Sequence, residues 1–476
     1  MPIATYLSEY ERVRLEGAPG PAWLARLRDE AAGRFQALGF PTTKQEEWRF
    51  TSVAPIAGTA CRLAGHGEGL PAGVDPFRLT GPLAAELVFV DGRYAPALSR
   101  VGPLPSGARV GSLRAALRNG AHDVEAHLAR LAPVQDQPFT ALNTAFLEDG
   151  AFVHIPAHAR LADPVHLLFI ATGGNGDGPA MTHPRVLVVM GDDSQAAVIE
   201  SYGGIAANSR PHIPPPTSRT AKPEARSGDR ESESGDRGSE AWALRPDQPR
   251  VRYFTNAVTE AVLGEHAVFD HVKMQRESLD GCHVASMHLL ARRGAAASSH
   301  SLTFGGALVR NDVVAVLDGE GAGCTLNGLY VADGTRLVDN HTTIDHARPH
   351  CGSRETYKGI LSDRARAVFN GRIVVRPDAQ KTDAKQTNRA LLLSEDARIN
   401  TTPQLQIFAN DVKCTHGATV GQLDEEALFY LRSRGLGAPD AQRMLIRAFA
   451  GDILDRMPIA SARHGAAQVL ARELGT

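Results

Sequence analysis

The chain has 476 residues, 43% of them hydrophobic, and a formal net charge of -2. That length allows two or three domains around a well-buried core. The near-neutral balance removes any electrostatic reason to expect nucleic acid or an anionic membrane as the main partner. No run of about 18 apolar residues offers a membrane span.

The N-terminal stretch MPIATYLSEYERVRLEGAPG carries charges where a signal peptide needs an apolar centre. The five cysteines (Cys61, Cys282, Cys324, Cys351, Cys414) are odd in number and scattered. Together these features predict a reducing, cytoplasmic setting and no disulfide framework.

Residues 1–85 read as an N-terminal helical region. In GPAWLARLRDEAAGRFQALGFP, Pro21 suits a first turn, and Gly39 and Pro41 a stop. Trp23, Leu27, Ala31, Phe35 and Leu38 recur at helical spacing and predict one core-facing stripe. A further helix is predicted over 124–132.

From about residue 86 to 422 the texture is β-rich, in short runs separated by Gly, Asp and Pro turns. LSDRARAVFNGRIVV begins at Leu361 and LSEDARINTTPQLQI at Leu393, a repeat of about 32 residues. LGEHAVFDHV and MGDDSQAAVIES read as looser copies of the same turn and strand. The repeat favours a β-solenoid whose rungs stack and whose ends need caps, a task assigned to the terminal helices; a β-sandwich stays open. Residues 205–250 mix charge with Pro and Ser and hold little apolar content, which predicts a disordered insertion. Residues 423–476 read as a C-terminal helical domain built on a hairpin. Asp424 is its N-cap, Gly435 and Pro458 its stops, and Leu428, Phe429, Leu431, Leu445 and Phe449 lie on its apolar faces.

No Walker sequence is present, and GGNGDG (173–178) and GEGAGC (319–324) lack the Lys and following helix that hold phosphate. They read as turns, so ATP chemistry would have to come from another chain. His341, His346, His350 and Cys351 cluster, but without the paired close ligands of a structural zinc site. Chance clustering among 18 histidines is the favoured account. Cys414 and His416 are the sharper pair. Two apart on a strand, they project to one face while Lys413 points away, and nearby cations would favour the thiolate that binds metal or sulfur. A buried Cys beside a surface His explains the pair equally well. Two ligands are also only half of what an iron–sulfur cluster usually takes.

Three segments then carry a resemblance: FPTTKQEEWRFT (40–51), FTALNTAFLEDGAFVHIP (139–156) and, most specifically, the stretch from Phe369 through KCTHGATVG to Leu436. Over nearly the whole chain outside 205–250, the sequence resembles the SufB/SufD family of iron–sulfur cluster assembly proteins, on its SufD side. The resemblance implies a right-handed parallel β-helix core with helical N- and C-terminal regions. It implies a non-catalytic scaffold that pairs with a SufB-like paralogue and docks a SufC-like ATPase on its C-terminal helices, with sulfur-donor proteins acting indirectly. His416 matches the family histidine implicated in cluster assembly at that interface, with Cys414 beside it, so both would hold a transient cluster shared with the partner. A reduced flavin is left open as a further cofactor. Asn388 stands near the place of the SufB-type cysteine, and Gly417 replaces the Glu of a His-Glu-Ala-Thr motif; both differences favour the SufD side. The rivals are a SufB-type primary scaffold and a β-helix polysaccharide lyase or glycosidase using Asp378 and Asp383 as acid and base.

Overall fold

In the computed structural model, residues 2–17, 20–65, 73–120, 122–173, 178–205 and 251–474 are described. Two helices open the chain, α1 (Pro2–Leu15) and α2 (Ala22–Leu38). Pro21 is the N-cap of α2, one residue before the predicted first turn, and Gly39 closes the helix at φ 67°. The buried stripe is Leu24, Arg28, Ala31 and Phe35; Trp23, Leu27 and Leu38 are only half-buried, so the core face is rotated by about one residue from the predicted one. The helix predicted at 124–132 is shorter and earlier, at His122–His127. Two helices that were not predicted precede the main strand region, Leu113–Arg118 and α3 (Pro138–Ala145). α3 is buried at every position, so its sequence carries no polar phase to reveal it.

From Gly150 the chain lays down strands in pairs. They are β1 (Gly150–Ile155) and β2 (Val165–Ala171), β3 (Arg185–Met190) and β4 (Gln195–Gly204), β5 (Tyr253–Leu263) and β6 (Val268–Arg276), β7 (Gly281–Ala291) and β8 (Ala296–Thr303). They continue with β9 (Leu308–Leu317) and β10 (Gly323–Ala332), β11 (Leu337–His346) and β12 (Gly352–Leu361), β13 (Arg366–Val375) and β14 (Asp383–Leu392), then β15 (Arg398–Ile407) and β16 (Lys413–Gly421). Odd-numbered strands pair in parallel in one sheet and even-numbered strands in a second, each strand meeting the one two places later in the chain. This is a parallel β-solenoid, mainly β with helices at both ends of the chain; the sandwich is excluded. The 32-residue repeat is structural, because Arg366 and Arg398 are register partners. The looser copies are not its equivalents. LGEHAVFDHV and MGDDSQAAVIES turn from an odd to an even strand, whereas the Leu361 and Leu393 repeats turn from even to odd.

Most strands bury most of both faces, as a parallel sheet requires, whereas β15 and β16 have no fully buried residue. The lumen packs Phe89, Phe169, Val188, Phe269, Tyr330 and Phe369 with many alanines. Outside the odd sheet, Tyr6, Phe35, Phe40 and Trp48 pack on Phe139, Phe254 and Cys282. Outside the even sheet lie α4 (Glu425–Ser433), α5 (Ala438–Asp455) and α6 (Ala460–Glu473). Ile446, Ile453, Leu454 and Leu470 meet Val272, Leu329 and Ile360 there. The helical segments therefore cover the flanks of the solenoid and not its ends, a correction to their expected role as caps. Pro458 does end α5, but a third C-terminal helix, α6, follows it. The expected insertion, 205–250, lies outside the described residues from 206 onward, as do 174–177 of the first Gly-rich stretch.

The 40–51 signature is a latch on the odd sheet. The Arg310 guanidinium carbon stands 4.1 Å from the Trp48 ring centre. Arg310 also donates to the Glu47 carbonyl at 2.7 Å and to Asp339 at 2.7 Å. Thr51 donates to Asp339 at 2.6 Å. His341 lies between Asp339 at 3.0 Å and Glu47 at 3.2 Å. Burial alone would lower the pKa of this imidazole, but Asp339 and Glu47 overcome it and lift it to about 9. A raised pKa means stabilisation that is full below the ordinary histidine value and is lost as pH rises through about 9. The thermal midpoint is therefore expected to fall between about pH 7 and pH 10, by an amount worth up to roughly 3 kcal/mol. Calorimetry of His341→Gln checks this: the variant should lose most of that slope, and an unchanged slope refutes the latch.

Candidate functional site

The last rung, β15 and β16, has nothing stacked on it among the described residues. Register shows which of its side chains face the lumen. Ala297, Cys324, Ser353, Ala384 and Cys414 form one column, and Glu355, Gln386 and His416 the next. Cys414 and His416 thus share the inward face of β16, as the alternation predicts. The mouth around them is apolar and open: Ile407 and Val420 are exposed, Phe408 is 63% exposed, and Leu405 is half-buried.

Cys414 rests on Ile373, Val375, Ala384 and Ala409. Burial, with a further contribution from the Asp383 charge, pushes its thiol up, although a backbone hydrogen bond at Ala384 opposes this. The expected cation-stabilised thiolate is therefore not what the isolated chain offers; at neutral pH the thiol keeps its proton. His416 lies at the exposed surface of the mouth. Asn388 is fully buried in the lumen of the preceding rung and donates to Thr401 at 3.0 Å.

Below His416, Gln386 donates through Nε2 to Glu355 Oε2 at 2.7 Å. Burial lifts the Glu355 carboxyl to about 7, against the Gln386 hydrogen bond, which lowers it. These residues were missed in the sequence, yet they left a signal there. Ser353 and Glu355, then Gln386 and Asn388, are polar residues in the same alternating phase as Tyr357 and Leu361 and as Ala384 and Ala390, the phase that turns inward.

The other histidines do not converge. His341 belongs to the latch, His346 donates or accepts at Ser353 at 3.0 Å, and His350 sits exposed in a turn at φ 60°. No group of three potential metal ligands occurs among the described residues. The glycosidase pair also fails. Asp383 is bound to Arg354 at 2.7 Å, which holds its pKa low, the opposite of what a general acid requires.

On the hairpin, Asp424 caps α4 by accepting from the N–H groups of Glu426 and Ala427. Phe429 is 73% exposed, and Tyr430 and Met444, absent from the expected set, are exposed as well. Leu428, Leu431 and Leu445 are half-buried. Phe449 faces inward: the Lys358 ammonium lies 4.7 Å from its ring centre and donates to its carbonyl at 2.9 Å.

The thiol argument is testable. Alkylation of the folded chain, followed by mass spectrometry, is expected to modify Cys414 ahead of the four buried cysteines, with a rate still climbing past about pH 9. A rate that levels off below about pH 8 would contradict the geometry.

Two family models match the chain: the SufBD protein N-terminal region over residues 5–167, and the SUF system FeS cluster assembly SufBD core domain over 237–449. An iron-sulfur cluster assembly SufBD family protein of Synechocystis is 35% identical over 92% of this chain and 88% of its own length. The iron-sulfur cluster assembly protein SufD of Escherichia coli is 32% identical over 91% of this chain and 88% of its own length. A SufD protein of Bacillus subtilis is 25% identical over the full length of both chains. With both halves matched and these identities spanning the solenoid and its helical flanks, the chain belongs to the SufBD family of iron–sulfur cluster assembly proteins, on its SufD side.

Proposed function

We propose that the chain is a non-catalytic scaffold subunit that forms half of a cluster-assembly site. The single observation that carries this reading is the last rung, unpaired among the described residues, which holds Cys414 and His416 at the mouth of an apolar lumen. An open strand edge bordered by exposed Ile407, Phe408 and Val420 calls for a second chain. A SufB-like paralogue laid against β15 and β16 would cover that edge and add the missing ligands. The cluster is cargo, held briefly between the subunits.

The α4–α5 hairpin is the docking element for a SufC-like ATPase in this reading. α4 has no buried residue of its own, and Phe429, Tyr430 and Met444 present an apolar surface. α5 is tied to the solenoid by Lys358, whose ammonium lies 2.8 Å from Asp452. Motion imposed on the hairpin by ATP turnover would therefore reach the even sheet.

Co-expression of the chain with both partners tests the two surfaces separately. His416→Ala is expected to leave the complex intact and to abolish its bound iron and sulfide; unchanged cluster content would remove His416 from the site. Phe429→Asp is expected to cost the ATPase its place on this subunit while the paralogue pair survives gel filtration. Loss of both contacts at once would count against a separate docking hairpin.

A further inference from the structure

We propose that Gln386 is the positioning residue of His416: its amide carbonyl accepts a hydrogen bond from the imidazole and so fixes which ring nitrogen is left free to face the partner. This rests on the assignment of His416 to the assembly site. Gln386 and His416 are register partners on adjacent parallel strands. Such partners stand about 4.8 Å apart and project to the same side. On its inner side Gln386 is already committed, because Nε2 donates to Glu355 Oε2 at 2.7 Å. With Nε2 spent on the preceding rung, Oε1 is the amide atom left for a partner on the other side.

That carbonyl is the informative atom. Gln386 is buried, and its Oε1 has no hydrogen-bond partner. A buried carbonyl without a partner is destabilising, so it demands an explanation. The next side chain in its own column, on the open side, is His416, which is exposed. With one ring N–H given to Gln386, the other nitrogen is left unprotonated and aimed out of the lumen, as a ligand requires. Histidines that bind metals are generally oriented by such a second hydrogen bond, and removing it costs about 10–100-fold in affinity. Glu355 acts one step further in, by preventing the amide from flipping.

Selective ¹⁵N-histidine labelling of the chain in its assembled complex reads the tautomer of His416 directly, with His416→Asn supplying the assignment. The wild type should show one tautomer. Gln386→Leu should show both, and should weaken iron retention by about 10–100-fold. Gln386→Glu, which keeps an acceptor, should restore the single form. Glu355→Leu frees the amide without touching position 386 and should also give a mixture; thermal melts confirm that each variant is folded. A single, unchanged tautomer in folded Gln386→Leu and Glu355→Leu overturns the proposal. The outcome is separable from the assembly assignment: if His416→Ala abolishes cluster content while these variants leave the tautomer alone, only the role of Gln386 fails.

Discussion

A stack of parallel strands satisfies each strand only by supplying the next one, so it always has an end problem. This chain solves it at one end and leaves it at the other. At the first rung, Ala85–Val90 joins β2 in parallel and is itself covered by the antiparallel strands Arg93–Tyr94 and Arg100–Val101. Arg109–Ser112 closes β1 in the same antiparallel manner. At the last rung the chain leaves the sheet after Gly421 and sends its helices back along the outer flank. An antiparallel strand stops growth because its outer edge is short; an open parallel edge invites another strand. The difference between the two ends is thus built from strand direction, and the site follows from it.

The lumen imposes a second rule: a charge placed there must find its partner inside. Near the first rungs the chain obeys with tight pairs. His271 lies 3.2 Å from Glu200 and His283 2.7 Å from Glu277. Burial lowers the Lys273 amine to about 8 even with Glu200 and Glu277 near it. Toward the open end the groups change character. Glu355 faces no cation and is pushed toward neutrality, Gln386 and Asn388 carry no charge, and Cys414 keeps its proton. Among the described residues, the inward groups toward the open end are therefore hydrogen-bonding ones rather than ion pairs.

Much of the solenoid was legible because alternation and a 32-residue spacing are local properties. The pairing of Arg366 with Arg398 is readable from the two Leu-Ser-acid-x-Ala-Arg turns alone. The position of the helices was not legible. A helix that caps an end and one that covers a flank need the same apolar stripe, and only tertiary packing distinguishes Ile453 over Ile360 from Ile453 over the last rung. α3 escaped because it is buried all round. Cys414 and His416 were visible as a pair through the two-residue period, but the state of the thiol was not, since Ile373 and Val375 come from the preceding rung. The latch was visible only as a motif. Its partners Arg310, Asp339, His341 and Arg372 are scattered over strands that the chain reaches more than 250 residues later.

The two surfaces of β12 connect the C-terminal helices with the Cys414 and His416 rung. Glu355 and Lys358 are three residues apart on that strand, so they face opposite sides of the sheet. Glu355 reaches inward to Gln386, which stands under His416. Lys358 reaches outward to Asp452 and to the Phe449 carbonyl on α5, and Thr356 between them accepts from Arg456 at 3.2 Å. A parallel sheet packed on both faces is stiff, because neither face can relax without opening voids. Lys358 and Glu355 thus tie α5 and the Gln386 amide to the same strand. In the proposed role, one strand is enough to make the His416 column sensitive to what binds the hairpin.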